Sequence, residues 1–156
     1  EDRYRRGLYT YWRRTSPYPS MIAFDAPSRE VCTVRRIRTN TPLQALVTLN
    51  DPVYTEAAQA MARRVIREAP TADINDRVHY AYLLAASRPP NDAERARVTG
   101  LYTDELARYT ADEEAAFAMA TEPLGPVPAG TNTAELASWT VVSNVLLNLD
   151  EVLTKR

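Results

Sequence analysis

The sequence predicts an all-α fold, an irregular bundle of about five or six helices with a long basic N-terminal loop. Three observations carry this. Thr, Asp or Asn stands directly ahead of several apolar runs, in places with Pro next or with Gln or Glu three residues on. Apolar side chains recur at spacings of three and four. No stretch alternates strictly between apolar and polar residues, as a half-buried strand would.

Taken in order, the first forty residues differ from the rest. "YRRGLYTYWRRT" (4–15) reads as a helix, weakened by Gly7 and by its β-branched and aromatic content. Residues 15–40 carry Pro17, Pro19 and Pro27 and read as an ordered irregular loop. A loop of that length in a compact domain is usually functional. Thr41-Pro42-Leu43-Gln44 has the form of a capping box with Pro at the first helical position, which predicts a short helix with Leu43, Leu46 and Val47 inward. Asp51-Pro52 starts a second, running to about Ala69, with Val53, Ala57, Ala60 and Met61 near one stripe. Ile74, Val78, Tyr82 and Ala85 mark a third, closed by Pro89-Pro90. Asn91 to Glu94 opens a fourth, whose buried face is Val98, Leu101, Tyr102, Leu106 and Tyr109. Thr110 to Glu113 reads as a cap and restart. "EPLGPVPAGT" (122–131) is a loop, and Asn132 to Glu135 opens a last long helix with Leu136, Trp139, Val142 or Ser143, and Leu146 or Leu147 inward.

The chain has 156 residues, 45% hydrophobic and 25% charged, which suits one compact core. Its formal charge is −1, so nothing in the total favours nucleic acid. The charge is uneven. Residues 1–40 balance at +5 and hold nine arginines, whereas residues 41–156 balance at −6. Lys155 is the only lysine. Arginine's planar fork suits carboxylate or phosphate groups, although a bias in genomic base composition accounts for arginine over lysine equally well. The organisation this suggests is an arginine- and aromatic-rich segment with its loop over 1–40, read as the tail of a truncated larger domain, and a helical domain over 41–156. No apolar run is long enough to span a bilayer. The opening "EDRYRRGLYTYW" lacks an initiator Met and reads as the interior of a longer protein, so the absence of a signal peptide does not assign the chain to the cytoplasm. Leu8, Tyr9, Tyr11, Trp12 and Tyr18, with Tyr4, are expected to stand partly exposed as an arginine-rimmed patch where upstream domains of the same polypeptide would pack.

The chemistry-bearing residues are few. One histidine, His79, and one cysteine, Cys32, are too few for a common zinc site, and no Cys-x-x-Cys-His attaches a haem. No metal or cofactor is therefore assigned to this chain. Cys32 reads as a small buried hydrophobe between Val31 and Val34, rather than a thiolate activated by nearby arginines. The best candidate site is the basic loop. Arg29, Arg35, Arg36, Arg38 and Asn40 lie just before the helix that begins at Pro42, where free N–H groups and the helix dipole favour an anion or an acidic partner. Asp25, Arg29 and Glu30 could instead pair with these arginines and hold the loop in place. An enzymatic alternative uses Asp25, Glu30 or His79 as acid and base on an anionic polysaccharide, sulfated ones included, with the arginines as clamps.

Three stretches, "LYTYWRRTSPYPSMIAFDAPSREVCTVRRIRTNTPLQALVTLNDP", "AYLLAASRPPNDAE" and "LASWTVVSNVLLNLDEVLTKR", together resemble the C-terminal domain of unknown function of large secreted planctomycete proteins. That domain typically follows a cytochrome-c-like domain and a second uncharacterised domain. The resemblance implies an extracytoplasmic, periplasmic or secreted location and a multidomain parent whose haem belongs upstream. It implies a non-catalytic accessory or interaction role and supplies no catalytic residues.

Overall fold

Each long helix starts where a short polar side chain satisfies a free first-turn N–H. The computed structural model describes residues 6–13, 15–28, 30–35, 39–69 and 73–154. Among these, the α-helices are α1 (Pro19–Ala23), α2 (Pro42–Asn50), α3 (Pro52–Glu68), α4 (Ile74–Ala86), α5 (Asp92–Ala111), α6 (Glu113–Thr121), α7 (Thr133–Leu147) and α8 (Asp150–Leu153). There is no strand among the described residues, and the fold is all-α. Thr41, Asp51, Asp73, Asn91, Asp112 and Asn132 each accept a backbone N–H at the start of α2 to α7. At α2 and α5 the capping box is complete, with Gln44 and Glu94 reaching back to the cap residue's own N–H. Such a cap contributes about 1 kcal/mol.

Helix α7 is the hub. It packs against α3, α5 and α6 and also touches α2, α4 and α8. Leu136, Ala137, Trp139, Val142 and Leu146 are all buried in it, and so are Ser138, Thr140 and Ser143. A helix buried on nearly every side must hide its hydroxyls. Ser138 and Thr140 do so by donating to the carbonyls of Ala134 and Leu136, at 2.7 and 2.8 Å. Trp139 lies against Tyr102 of α5 with ring centroids 5.1 Å apart. Ala58 and Ala62 on α3, both fully buried, let α3 approach the hub closely.

Gln59 shows how the 122–131 loop is held. It is fully buried. Its amide nitrogen donates to the carbonyls of Met119 and Glu122, each at 2.7 Å, and its oxygen accepts from the Leu124 N–H at 3.0 Å. One side chain thereby satisfies three backbone groups where α6 ends.

The inward faces of α2 and α3 differ from the sequence prediction. Leu43 and Leu46 are each 59% exposed, while Gln44 and Thr48 are buried. On α3, Val53, Ala57 and Ala60 are exposed, and Glu56, Ala58, Gln59, Ala62 and Val65 face inward. In both cases polar groups with partners on other elements set the rotation of the helix. The N-terminal segment also differs. Among its described residues before α1, only Gly7–Tyr9 form a helical turn, of the 3-10 type. A single bridge pairs Arg13 with Ser16. Leu8, Tyr9, Tyr11 and Tyr18 are exposed and Trp12 is half-buried; Tyr4 lies outside the described residues.

Candidate functional site at the neck of the basic loop

The basic loop leaves the fold at the end of α1 and returns just before α2. Asp25 sits after the last residues of α1 with φ 59°, in the left-handed region that Asp tolerates better than most side chains. The Asp25 N–H donates to Ile22 O at 3.1 Å and the Ala26 N–H to Met21 O at 2.8 Å. This is the bonding pattern of a Schellman ending, and it aims the chain away from the helix.

The Asp25 carboxylate then closes the neck. It accepts from the Thr39 N–H at 2.7 Å and from the Thr39 hydroxyl, whose oxygen is 2.8 and 2.9 Å from its two oxygens. Gln44 joins both. Its Oε1 accepts from the Thr41 N–H at 2.9 Å, and its Nε2 reaches Asp25 at 3.3 Å and Thr39 Oγ1 at 3.1 Å. Asp25 and Thr39, 14 residues apart in sequence, are therefore joined where the loop leaves and returns. Its described outer residues, Glu30, Val31, Cys32, Val34 and Arg35, are exposed. Cys32 is thus exposed rather than buried. The expected packing fails because Val31 and Val34 also point outward and offer it no cover.

Below the neck runs a polar seam to the C-terminal helices. Asn40 Nδ2 donates to Asp150 at 2.7 Å, Thr48 Oγ1 donates to Asn148 Oδ1, and Asn144 Nδ2 reaches Leu49 O at 3.4 Å. A second junction lies at Arg88. It grips Glu94 through two bonds of 2.8 and 2.6 Å and Glu151 through two of 2.9 and 2.7 Å, with its guanidinium 5.6 Å from the Tyr82 ring centroid. The Arg88 hydrogen bonds, followed by the Asn91 N–H, hold the Glu94 carboxyl at about 2. The three stretches that carry the resemblance thus meet through Asn40, Asn148, Asp150, Arg88 and Glu151.

Of the candidate site residues, Arg29, Arg36 and Arg38 lie outside the described residues. Arg35 and Glu30 are exposed on the loop. Asn40 is spent on Asp150, and Asp25 on the neck. His79 is half-buried on α4, and among the described residues no hydrogen bond or ion pair joins it to the loop. The start of α2 offers an anion little. Pro42 has no N–H, while Thr41 and Gln44 spend theirs inside the capping box. Only Leu43 keeps a free first-turn donor, so any anion capacity rests on the arginines. Sequence reasoning did not pair Asp25 with Thr39 and Gln44. One signal was present: a capping-box Gln uses only its oxygen, so its NH2 still needs an acceptor.

Among the described residues no group of three or more His, Cys, Asp or Glu is placed to hold a metal ion, and no helix is long and apolar enough to cross a membrane. A family model described as protein of unknown function (DUF1553) matches residues 1–102. The match takes in the neck, the loop, α1 to α4 and the first half of α5, and it ends before the hub helix α7. No curated protein and no solved structure matches the chain.

Proposed function

We propose, from the premise that the chain belongs to the family described as protein of unknown function (DUF1553), that it is a non-catalytic accessory or interaction domain whose recognition element is the loop 26–38. The ligand class is an anion, such as a sulfated sugar or an acidic partner surface, met by Arg29, Arg35, Arg36 and Arg38. The resemblance of the three quoted stretches supports placing the domain at the C-terminal end of a secreted, haem-associated multidomain protein, outside the cytoplasm, with the haem upstream. The observation that carries the reading is the neck. Ordering a loop of this length costs conformational entropy, and the Asp25–Thr39–Gln44 bonds offset part of that cost before any ligand arrives, which favours binding. Asp25 is committed there as an acceptor, which weighs against an acid or base role.

The test is calorimetric titration of a sulfated oligosaccharide into the wild-type chain, the double variant Arg35→Ala/Arg36→Ala and Asp25→Gly. Glycine accepts the left-handed backbone at 25 and removes the side chain that carries the carboxylate. Wild-type affinity should weaken as salt rises. The double variant should bind at least about tenfold more weakly, and Asp25→Gly should bind more weakly with the melting transition of the helical bundle unchanged. Equal binding by wild type and the double variant would remove the loop from the reading.

A further inference from the structure

The N-terminal segment, α1 and the start of α3 enclose an open cleft of about 580 Å³. Gly7, Trp12, Tyr18, Met21, Phe24 and Tyr54 are on its walls. Phe24 and Tyr54 of its lining pack as a tilted pair with centroids 5.7 Å apart. Gly7 allows the close approach there, since a Cβ at that position would lie 3.1 Å from Met21 Cε. Arg6 and Arg13, next in sequence to Gly7 and Trp12, are exposed, and among the described residues neither has an ion-pair partner. A cleft with aromatic walls, on a segment that also carries these two exposed arginines, suits one kind of ligand, an apolar ring flanked by carboxylates.

The chain displays such a group. Phe117 on α6 is 61% exposed, although its neighbours Ala116 and Ala120 are buried. Glu113 and Glu114, four and three residues earlier, share its face. Both are exposed, and among the described residues neither is in an ion pair. The charge balance agrees, at +5 over residues 1–40 and −6 over 41–156.

We propose that Phe117 of one copy enters the aromatic cleft of a second copy, with Glu113 and Glu114 facing Arg6 and Arg13. Two clefts cannot face one another, because that would set arginine against arginine. Knob and cleft are different surfaces, so the contact is head-to-tail and forms rings or open chains. Its strength is limited by area. Of the exposed tyrosines only Tyr18 lines the cleft, and a whole aromatic side chain buries no more than about 150–250 Å², whereas a stable interface buries about 800 Å² per partner. The contact is therefore reversible and concentration-dependent. It goes beyond the loop reading and uses none of the loop arginines.

Sedimentation velocity of the intact chain over a range of concentrations tests it. The mean mass of the wild type should rise with concentration and fall with added salt. Phe117→Ser and, separately, Arg6→Glu/Arg13→Glu should remain monomeric. All three positions are exposed, so unchanged circular dichroism and melting confirm folding. An equimolar mixture of the two variants should recover a 1:1 dimer, because one keeps a working cleft and the other a working knob. Arg35→Ala/Arg36→Ala should associate like wild type, which separates this contact from the loop. A wild type that stays monomeric throughout, association that survives Phe117→Ser, or a mixture that fails to dimerise would each overturn the proposal.

Discussion

Residues 6–54 and residues 55–154 are built on opposite rules. Among the described residues no hydrophobic side chain before Ala58 is buried; the inward groups of the first region are Gln44 and Thr48. Many of its large apolar groups, among them Leu8, Tyr9, Tyr11, Leu43, Leu46 and Val53, are exposed, and Trp12, Phe24 and Tyr54 are only half-buried. The second region buries Trp139, Leu136, Leu146, Val65 and Val78 completely or almost so, and leaves few large apolar groups exposed. Burying a side chain of that size contributes about 1.5–3 kcal/mol, while a hydrogen bond contributes about 0.5–1.5 kcal/mol net. The helical region is therefore the stable body. The N-terminal region is a set of directional bonds that positions exposed groups, and regions of that kind open locally at lower cost.

The comparison can be broken first at the hub. Trp139→Ala should cost about 3–5 kcal/mol in chemical denaturation, because Trp139 is fully enclosed. A loss under about 1 kcal/mol would mean that the body does not depend on α7. Next comes Gln59→Ala, which strands two carbonyls and one N–H at the end of α6. A loss of about 1–3 kcal/mol is expected, and hydrogen exchange should show the 119–124 amides opening first.

The pH dependence is a smaller effect and sharpens the picture of the junctions. Glu94 is held at about 2 by Arg88 and then by the Asn91 N–H; Glu68 is held at about 2 by the Tyr80 hydroxyl, then by Arg64 and Arg67. Both lie below the value of about 4.3 for an unfolded Glu. The stability they contribute is present above about pH 4.3 and is lost as pH falls toward 2. Melting temperature should therefore drop across that window. Arg88→Ala should flatten the slope, leaving the share due to Glu68, and an unchanged slope would remove Arg88 from the account. The smallest effect belongs to the N-terminal region. Leu46→Ser should change stability by no more than about 0.5 kcal/mol, where the same change at Leu136 would be severe. A loss above about 2 kcal/mol at Leu46 would show that its outward face is covered in solution.

What the sequence determined by itself was local. Helix starts at Thr41, Asp51, Asn91 and Asn132 were legible because a cap and the N–H it serves lie within three residues of each other. The stop of α2 was legible for the same reason, since Pro52 acts on its own backbone, whereas α4 and α7 end at Ser87 and Asn148 without a Pro or Gly cap. The large apolar inward residues of α4 and α5 were also legible, because they fall on faces with no polar competitor; those of α7 were legible too, but that helix takes Ser138 and Thr140 inward as well. Tertiary structure alone decided the rotation of α2 and α3, where Ala and Leu occupy several sides and the pattern allows more than one inward face. There the partners choose: Gln44 turns inward to Asp25 and Thr39, and Gln59 to the turn after α6. It also decided the neck and the Arg88 junction. Asp25 and Thr39 are 14 residues apart, and Arg88 and Glu151 are 63 apart. At such separations a carboxylate's partner is set by which helices pack together, and helical periodicity says which side of a helix is apolar, not which other helix it will meet.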